Sequence, residues 1–151
     1  MNNIRLICLI LILFLSNVNA SEYKSVFDCS SSDAQYIASR ISLIDKTIDM
    51  IENDGDSIKV ALTLHGACVA MVSSSYEDIT ADEDLKYIQK AQERLISLSK
   101  RKNVEIVACA MSLNANAIEK EEVLPFIHIS KNSFIDTIKY QNHGYALMTF
   151  K

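Results

Sequence analysis

The 151-residue chain has no tryptophan, 3 glycines and 1 proline. So few turn formers exclude collagen-like and low-complexity segments, and they argue against an all-β sandwich, which needs many tight turns. An excess of basic charge is also missing: 15 Lys and Arg stand against 19 Asp and Glu, a formal charge of −4. No phosphate-tracking surface is expected from that balance, so nucleic acid is not an expected partner. The one dense basic cluster, Lys100-Arg101-Lys102, reads as a helix C-terminus. Several familiar constellations are absent as well, among them G-x-G-x-x-G, the P-loop, G-x-S-x-G, H-E-x-x-H and C-x-x-C. The length suits one globular domain.

What the sequence does have begins at its N-terminus. Leu6 to Leu15 is an unbroken apolar run that follows Arg5 and precedes Ser16-Asn17-Val18-Asn19-Ala20. A charged start, a short apolar stretch and a small terminal residue read as a secretory signal over residues 1–20. The run covers about half of the ~20 residues a membrane-spanning helix needs, so no stable membrane insertion is expected once the leader is removed. Residues 21–151 then form a single domain, and loss of Arg5 takes its formal charge from −4 to −5. The expected location is periplasmic or secreted. Cys8 leaves with the leader, and Cys29, Cys68 and Cys109 remain. An odd number of thiols in an oxidising compartment leaves at least one without an intrachain partner.

The remaining residues alternate strand and helix signals. Strands are predicted over 23–29, 58–64, 104–109, 126–129 and 145–150. The second, with little polar alternation, suits a strand covered on both faces. Ser32 with Gln35 and Thr80 with Glu83 have capping-box spacing at the starts of two long helices. The first carries Ala34, Ile37, Ala38, Ile41, Ile44, Ile48 and Ile51 at helical spacing and stops at Asp54-Gly55. The second carries Leu85, Ile88, Ala91, Leu95 and Leu98. Shorter helices are predicted over 112–118 and 132–142, and Ser73 to Asp82 reads as an exposed loop. Strands joined by helix-length crossovers imply α/β class: a mostly parallel central sheet of about five strands with helices on both faces.

Sites in such sheets gather at the carboxyl ends of the strands. Cys29, His65, Cys68, Cys109 and His128 all have that address. Cys109 precedes a short helix, whose unpaired N–H groups would favour the nucleophilic thiolate; a structural buried cysteine is the plainer alternative. His65 and Cys68, with a third ligand from Cys109 or Cys29, could instead hold a zinc or copper ion. His65 could equally be a loop imidazole beside a glycine turn, and a Cys29 to Cys68 disulfide is a further option. Carboxylates such as Asp82-Glu83-Asp84 and Glu119 with Glu121-Glu122 read as helix-start capping.

The runs VFDCSSSDAQYIASRISLIDKTIDMI, IKVALTLHGACVAMV, VEIVACAMSLNANAI, EEVLPFIHI and NHGYALMTF, in that order, resemble the DsrE/DsrF-like family with the YchN-like fold. The resemblance covers essentially all of residues 21–151. It implies a three-layer α/β/α subunit assembled into trimers or hexamers, with no cofactor. It also implies sulfur relay, in which a cysteine persulfide receives a sulfane sulfur and passes it to a thiol partner protein. Cys109 lies in the segment matching the carrier cysteine, and His65 in the matching histidine-glycine turn, where it would position the sulfur or shape the loop. No familiar catalytic motif accompanies them, so an enzymatic role beyond carriage is left open. The family's best-understood members are cytoplasmic, whereas this chain carries an export signal, and Cys29 and Cys68 match none of their functional positions. A non-catalytic oligomeric protein that binds a small ligand or metal is the alternative.

Overall fold

A computed structural model describes residues 20–150 of the chain. Apart from Ala20, the predicted leader lies outside the described residues. Five strands, β1 (Glu22–Cys29), β2 (Ser57–Leu64), β3 (Val104–Cys109), β4 (His128–Ser130) and β5 (Ala146–Phe150), form one sheet in the order β4-β3-β2-β1-β5. Every neighbouring pair is parallel. The helices are α1 (Ala34–Asn53), α2 (Leu85–Ser99), α3 (Ala110–Ala115) and α4 (Ser133–Asn142), with 3-10 segments over Gly66–Val72, Tyr76–Asp78 and Lys120–Glu122. No helix among the described residues is long and apolar enough to cross a membrane.

The order of strands explains the layers. From β1 to β4 the chain steps steadily in one direction across the sheet, and then the connection through α4 returns over the whole sheet to β5. Parallel crossovers are right-handed, so reversing the direction of travel moves the connecting helix to the opposite face. Accordingly α1 and α2 pack on each other and on one face, while α4 lies against β1, β2 and β5. Side chains alternate along each strand. Cys29, the even-numbered residues Ile58 to Leu64, Ile106, Ala108 and Phe150 join the α1/α2 core.

That core follows the predicted periodicity. Ile37, Ile41 and Ile48 of α1 and Leu95 and Leu98 of α2 have no solvent exposure, each burial contributing about 1.5–3 kcal/mol. The central strand β2 is buried on both faces from Val60 onward, as its continuous apolar run predicts. Gly55, at φ 87°, ends α1 where expected. Arg101 does more than sit at the end of α2: its guanidinium reaches back to Asp45 at 2.8 Å, to Glu52 at 3.3 Å and to Asp49, tying the α2–β3 turn to α1.

Element starts differ from the sequence reading for local reasons. Asp33 caps α1, accepting the Tyr36 N–H at 2.8 Å, because a carboxylate there also meets the helix dipole. Ser31 rather than Ser32 supports it, accepting the Asp33 N–H. The Thr80–Glu83 box does not form; Asp84 N–H closes a turn onto Ala81, and α2 starts after it. The loop predicted over Ser73 to Asp82 contains a 3-10 turn, and its first residue is buried, bridged to Val123. The helix predicted at 112–118 starts at Ala110, directly after β3, and ends where Ile118 N–H reaches Leu113 C=O across Ala117 at φ 55°. Strand β4 begins two residues later than predicted, since Ile127 N–H closes a turn onto Leu124 C=O. The Glu119–Glu122 capping box does form, on the 3-10 turn.

The α4 face is built differently. Ser133, Asp136, Thr137 and Tyr140 of α4 are wholly or partly buried, while Phe134, Ile135 and Ile138 point outward. The helix turns its polar side to the sheet and its apolar side to solvent.

Candidate functional site at the ends of the central strands

The five sequence candidates share one end of the sheet only in part. Cys29 and Cys68 are bonded to each other, with Cα atoms 6.0 Å apart, inside the α1/α2 core. Cys68 is delivered there by the 3-10 segment that follows β2. Among the described residues Cys109 is the free thiol; it is buried, yet it stands outside that core cluster, on the α4 side of the sheet. The sheet therefore separates the disulfide from the thiol. His128 opens β4 rather than ending it and pairs with Val107, two residues below Cys109. The alternative metal set of Cys68, His65 and Cys109 does not assemble, because the Cys68 sulfur is committed to Cys29. Among the described residues, no group of three or more His, Cys, Asp or Glu side chains is arranged to hold a metal ion.

Cys109 sits where the connections diverge. The chain leaving β3 enters α3, which packs against the 3-10 segment Gly66–Val72 on the α1/α2 side, whereas the chain leaving β4 enters α4 on the other face. A crevice opens between neighbouring strands at such a switch point. Cys109 pairs in register with Ser130 across it. Although Cys109 is the N-cap residue of α3, its side chain closes no cap bond of ordinary geometry. Burial pushes the thiol pKa up and is the largest single influence, but the Ser112 hydroxyl and the N–H groups of Ser112, Ser133 and Met111 together outweigh it. The net result is a thiol held below its ordinary pKa. Helix starts from both sides of the sheet contribute, since Ser112 and Met111 open α3 and Ser133 opens α4.

The histidine-glycine turn reaches the same place indirectly. His65 Nε2 lies 3.1 Å from Asp28 Oδ2, and Thr63 Oγ1 donates to Asp28 Oδ1 at 2.7 Å. The imidazole therefore leans toward β1, whereas Cys109 lies on the β3 side of β2. Gly66 makes the connection: its N–H donates to Ser112 Oγ at 2.9 Å, and Asn116 Nδ2 donates to its carbonyl at 3.2 Å. Gly66 adopts φ 55°, a left-handed conformation that favours glycine; a Cβ there would meet the Ser30 carbonyl oxygen only at 3.4 Å, an ordinary contact. Ser112 thus accepts from the His-Gly turn while its hydroxyl is among the groups that lower the Cys109 pKa. Ser112, Asn116, Ser133 and Asp28 were not singled out from sequence as site residues. The one available signal was a serine three residues beyond a strand-ending cysteine, where a first helical turn places its hydroxyl and N–H beside that cysteine.

A wholly parallel sheet, one helix layer on each face and a polarised thiol in the switch-point crevice define a three-layer α/β/α protein with a cysteine-centred site. The family model of the DsrE/DsrF-like family matches residues 24–150, and the chain belongs to that family. It is similar to an uncharacterized protein of Aquifex aeolicus (strain VF5), 34% identical over 131 residues that cover 87% of this chain and 57% of the relative. The chain thus spans little more than half of that relative's length. Its fold is also that of MTH1491, a protein of unknown function from Methanobacterium thermoautotrophicum, with a TM-score of 0.66 and 16% identity over 85% of this chain and 99% of the other.

Proposed function

We propose that this protein is an exported sulfur carrier, which accepts a sulfane sulfur on Cys109 and passes it to a thiol partner. The observation that carries this reading is the placement of Cys109, a free thiol at the end of β3 between the first turns of α3 and α4, where the surrounding N–H and O–H groups hold its pKa below the ordinary value. Those dipoles would favour the thiolate, the form that attacks sulfur. In the accepting step the Cys109 thiolate attacks the terminal sulfur of a persulfide R–S–SH. A new S–S bond forms to Cys109, the S–S bond joining that sulfur to the donor's R–S breaks, and its electron pair leaves on R–S⁻. The proton stays on the transferred sulfur, so no external oxidant or reductant is required. Transfer onward is the same exchange with the partner thiolate as attacker.

The Cys29–Cys68 disulfide supports a periplasmic or secreted location, where such bonds persist. Its formation also leaves Cys109 as the free thiol among the described residues. Homo-oligomerisation is supported by the outward face of α4, where Phe134 is 72% and Ile138 58% exposed. Contiguous exposed apolar side chains of that kind mark a surface that another chain covers.

The test is mass spectrometry of the disulfide-intact protein after treatment with a sulfane donor. The expected product is an adduct of about 32 Da, one sulfur atom, mapped to Cys109 and absent in Cys109→Ser. A reactive, unmodified Cys109 after donor treatment would overturn the carrier role.

A further inference from the structure

The crevice that holds Cys109 is crossed at its mouth by a side chain that sulfur transfer itself does not use. We propose that Met111 is the specificity-determining residue of this site: bridged to Asn132, it admits slender sulfur donors and acceptors to Cys109 and excludes bulky ones. This rests on the carrier reading for its substrate, but access to the thiol is measured without any sulfur transfer.

Position and exposure disagree at the ends of β3 and β4. Strand ends at a switch point open outward to ligands, and Cys109 pairs there with Ser130. Yet Cys109 is only 4% and Ser130 only 8% exposed. Met111 and Asn132 stand two residues beyond Cys109 and Ser130 respectively, and Asn132 Nδ2 donates to Met111 Sδ at 3.4 Å. That contact runs from the first turn of α3, on the α1/α2 side, to the N-cap of α4, on the other face. It therefore spans the gap between the two helix layers. The thiol lies between its two ends, since the N–H groups of Met111 and of Ser133, next to Asn132, both act on Cys109.

The bridge has one fixed post and one that swings. Asn132 is held by its other atom, Oδ1, which accepts the Phe134 N–H at 2.8 Å and caps α4. Met111 is 62% exposed, so no packing locks its side chain, and a thioether is a weak acceptor on an unbranched stem with three rotatable bonds. Breaking the contact is cheap. A hollow of about 430 Å³ lined by Ser130 and Asn132 borders the crevice, but Ser130 Oγ has no solvent exposure, so the hollow does not run inward to the sulfur. It gives a donor standing room outside the bridge. Swinging Met111 aside clears roughly the width of one side chain, a gap that suits rotamer-scale motion of a flexible residue. A sulfur carried on a small molecule or on a flexible chain end fits that opening; a cysteine set in a rigid protein surface does not.

The test is the rate of Cys109 alkylation in the assembled, disulfide-intact protein by iodoacetamide and by a fluorescein-bearing iodoacetamide. The ratio of bulky to small rates is read, because a change in the thiol itself affects both reagents and divides out. The wild-type ratio should be far below that of free cysteine. Asn132→Ser keeps an α4 cap but lacks the Nδ2 donor, and should raise the ratio by about fivefold, the shift in an open–closed equilibrium on losing one weak bond to sulfur. Met111→Ala, at an exposed position where substitution leaves the fold intact, removes the bulk as well and should raise it further. A ratio that stays at the wild-type value in either variant would overturn the proposal. Failure of Cys109 to take sulfur from a small persulfide, with the alkylation ratio still set by Met111, would instead remove the carrier reading and leave the control of access standing.

Discussion

The two faces of the sheet are opposites in construction. Beneath α1 and α2, isoleucine and leucine side chains fill the space, the disulfide closes it, and the outer helix surfaces are largely polar. Beneath α4, serine, threonine, aspartate and tyrosine face the sheet, two buried polar atoms lack partners, and apolar side chains face outward. The first arrangement is what burial of apolar surface produces in a subunit that must be stable. The second forgoes part of that stabilisation and keeps polar chemistry at the interface between helix and sheet. The free thiol lies on this second side. The division teaches that one face is packed for stability, while the other keeps the polar groups on which the proposed function rests.

Opening the disulfide is the largest perturbation expected, and it should register only as stability. Cys29 and Cys68 are 39 residues apart, and cross-linking a loop of that length stabilises by about 4 kcal/mol in the chain-entropy picture. The Cys29→Ser/Cys68→Ser double variant should lose about that much in urea denaturation, and Ile41→Ala on the same face about 2–5 kcal/mol. Cys109 reactivity at a temperature where both remain folded should be unchanged. A change in thiol reactivity in either variant would break the separation of the two faces.

Much of this division was legible in the sequence, but unequally. Strand β2, the apolar ladder of α1 and the spacing of α2 are period-2 and period-3.6 signals that burial enforces, so they predicted the sheet and its packed face well. Which cysteines meet is a three-dimensional matter: Cys29, Cys68 and Cys109 have equivalent addresses along the chain, and only strand alternation and the return path of α4 set the disulfide and the thiol on opposite sides. Helix starts were misplaced where local hydrogen bonding had two solutions, as at Ser32 against Asp33. The inverted polarity of α4 gives the periodicity of an ordinary amphipathic helix, because a pattern reports that two sides differ and not which one faces inward.

Ser112 offers a sharper probe of the functional face. Its hydroxyl is among the dipoles that lower the Cys109 pKa. Ser112→Ala should therefore raise the titration midpoint of the thiolate, read from its ultraviolet absorbance, and slow alkylation at neutral pH by about tenfold, equivalent to about 1.4 kcal/mol. The stability consequence has a definite sign. A thiol whose pKa is depressed on folding adds stability that is complete above its unfolded-state pKa and is lost as pH falls through its folded-state pKa. The wild-type protein should gain stability with rising pH across that window, and Ser112→Ala should gain less. Equal pH dependence in the two proteins would show that the helix-start N–H groups alone set the thiol.

The smallest effect on subunit stability, and the most direct contrast with Ile41, is expected at the outward face of α4. Phe134 has almost the same apolar bulk as a core residue, yet at 72% exposure it makes few contacts within the subunit. Phe134→Ser should change the unfolding free energy of the isolated subunit by no more than about 0.5 kcal/mol, as surface substitutions do. If a second subunit covers that face, the same variant should shift sedimentation toward smaller species, because the apolar area then stabilises the assembly and not the fold. An unchanged sedimentation profile for Phe134→Ser combined with Ile138→Ser would mean that α4 leaves its apolar side bare in the assembled protein. The inverted helix would then need another occupant, and the polar layer beneath it would have to be understood within a single subunit.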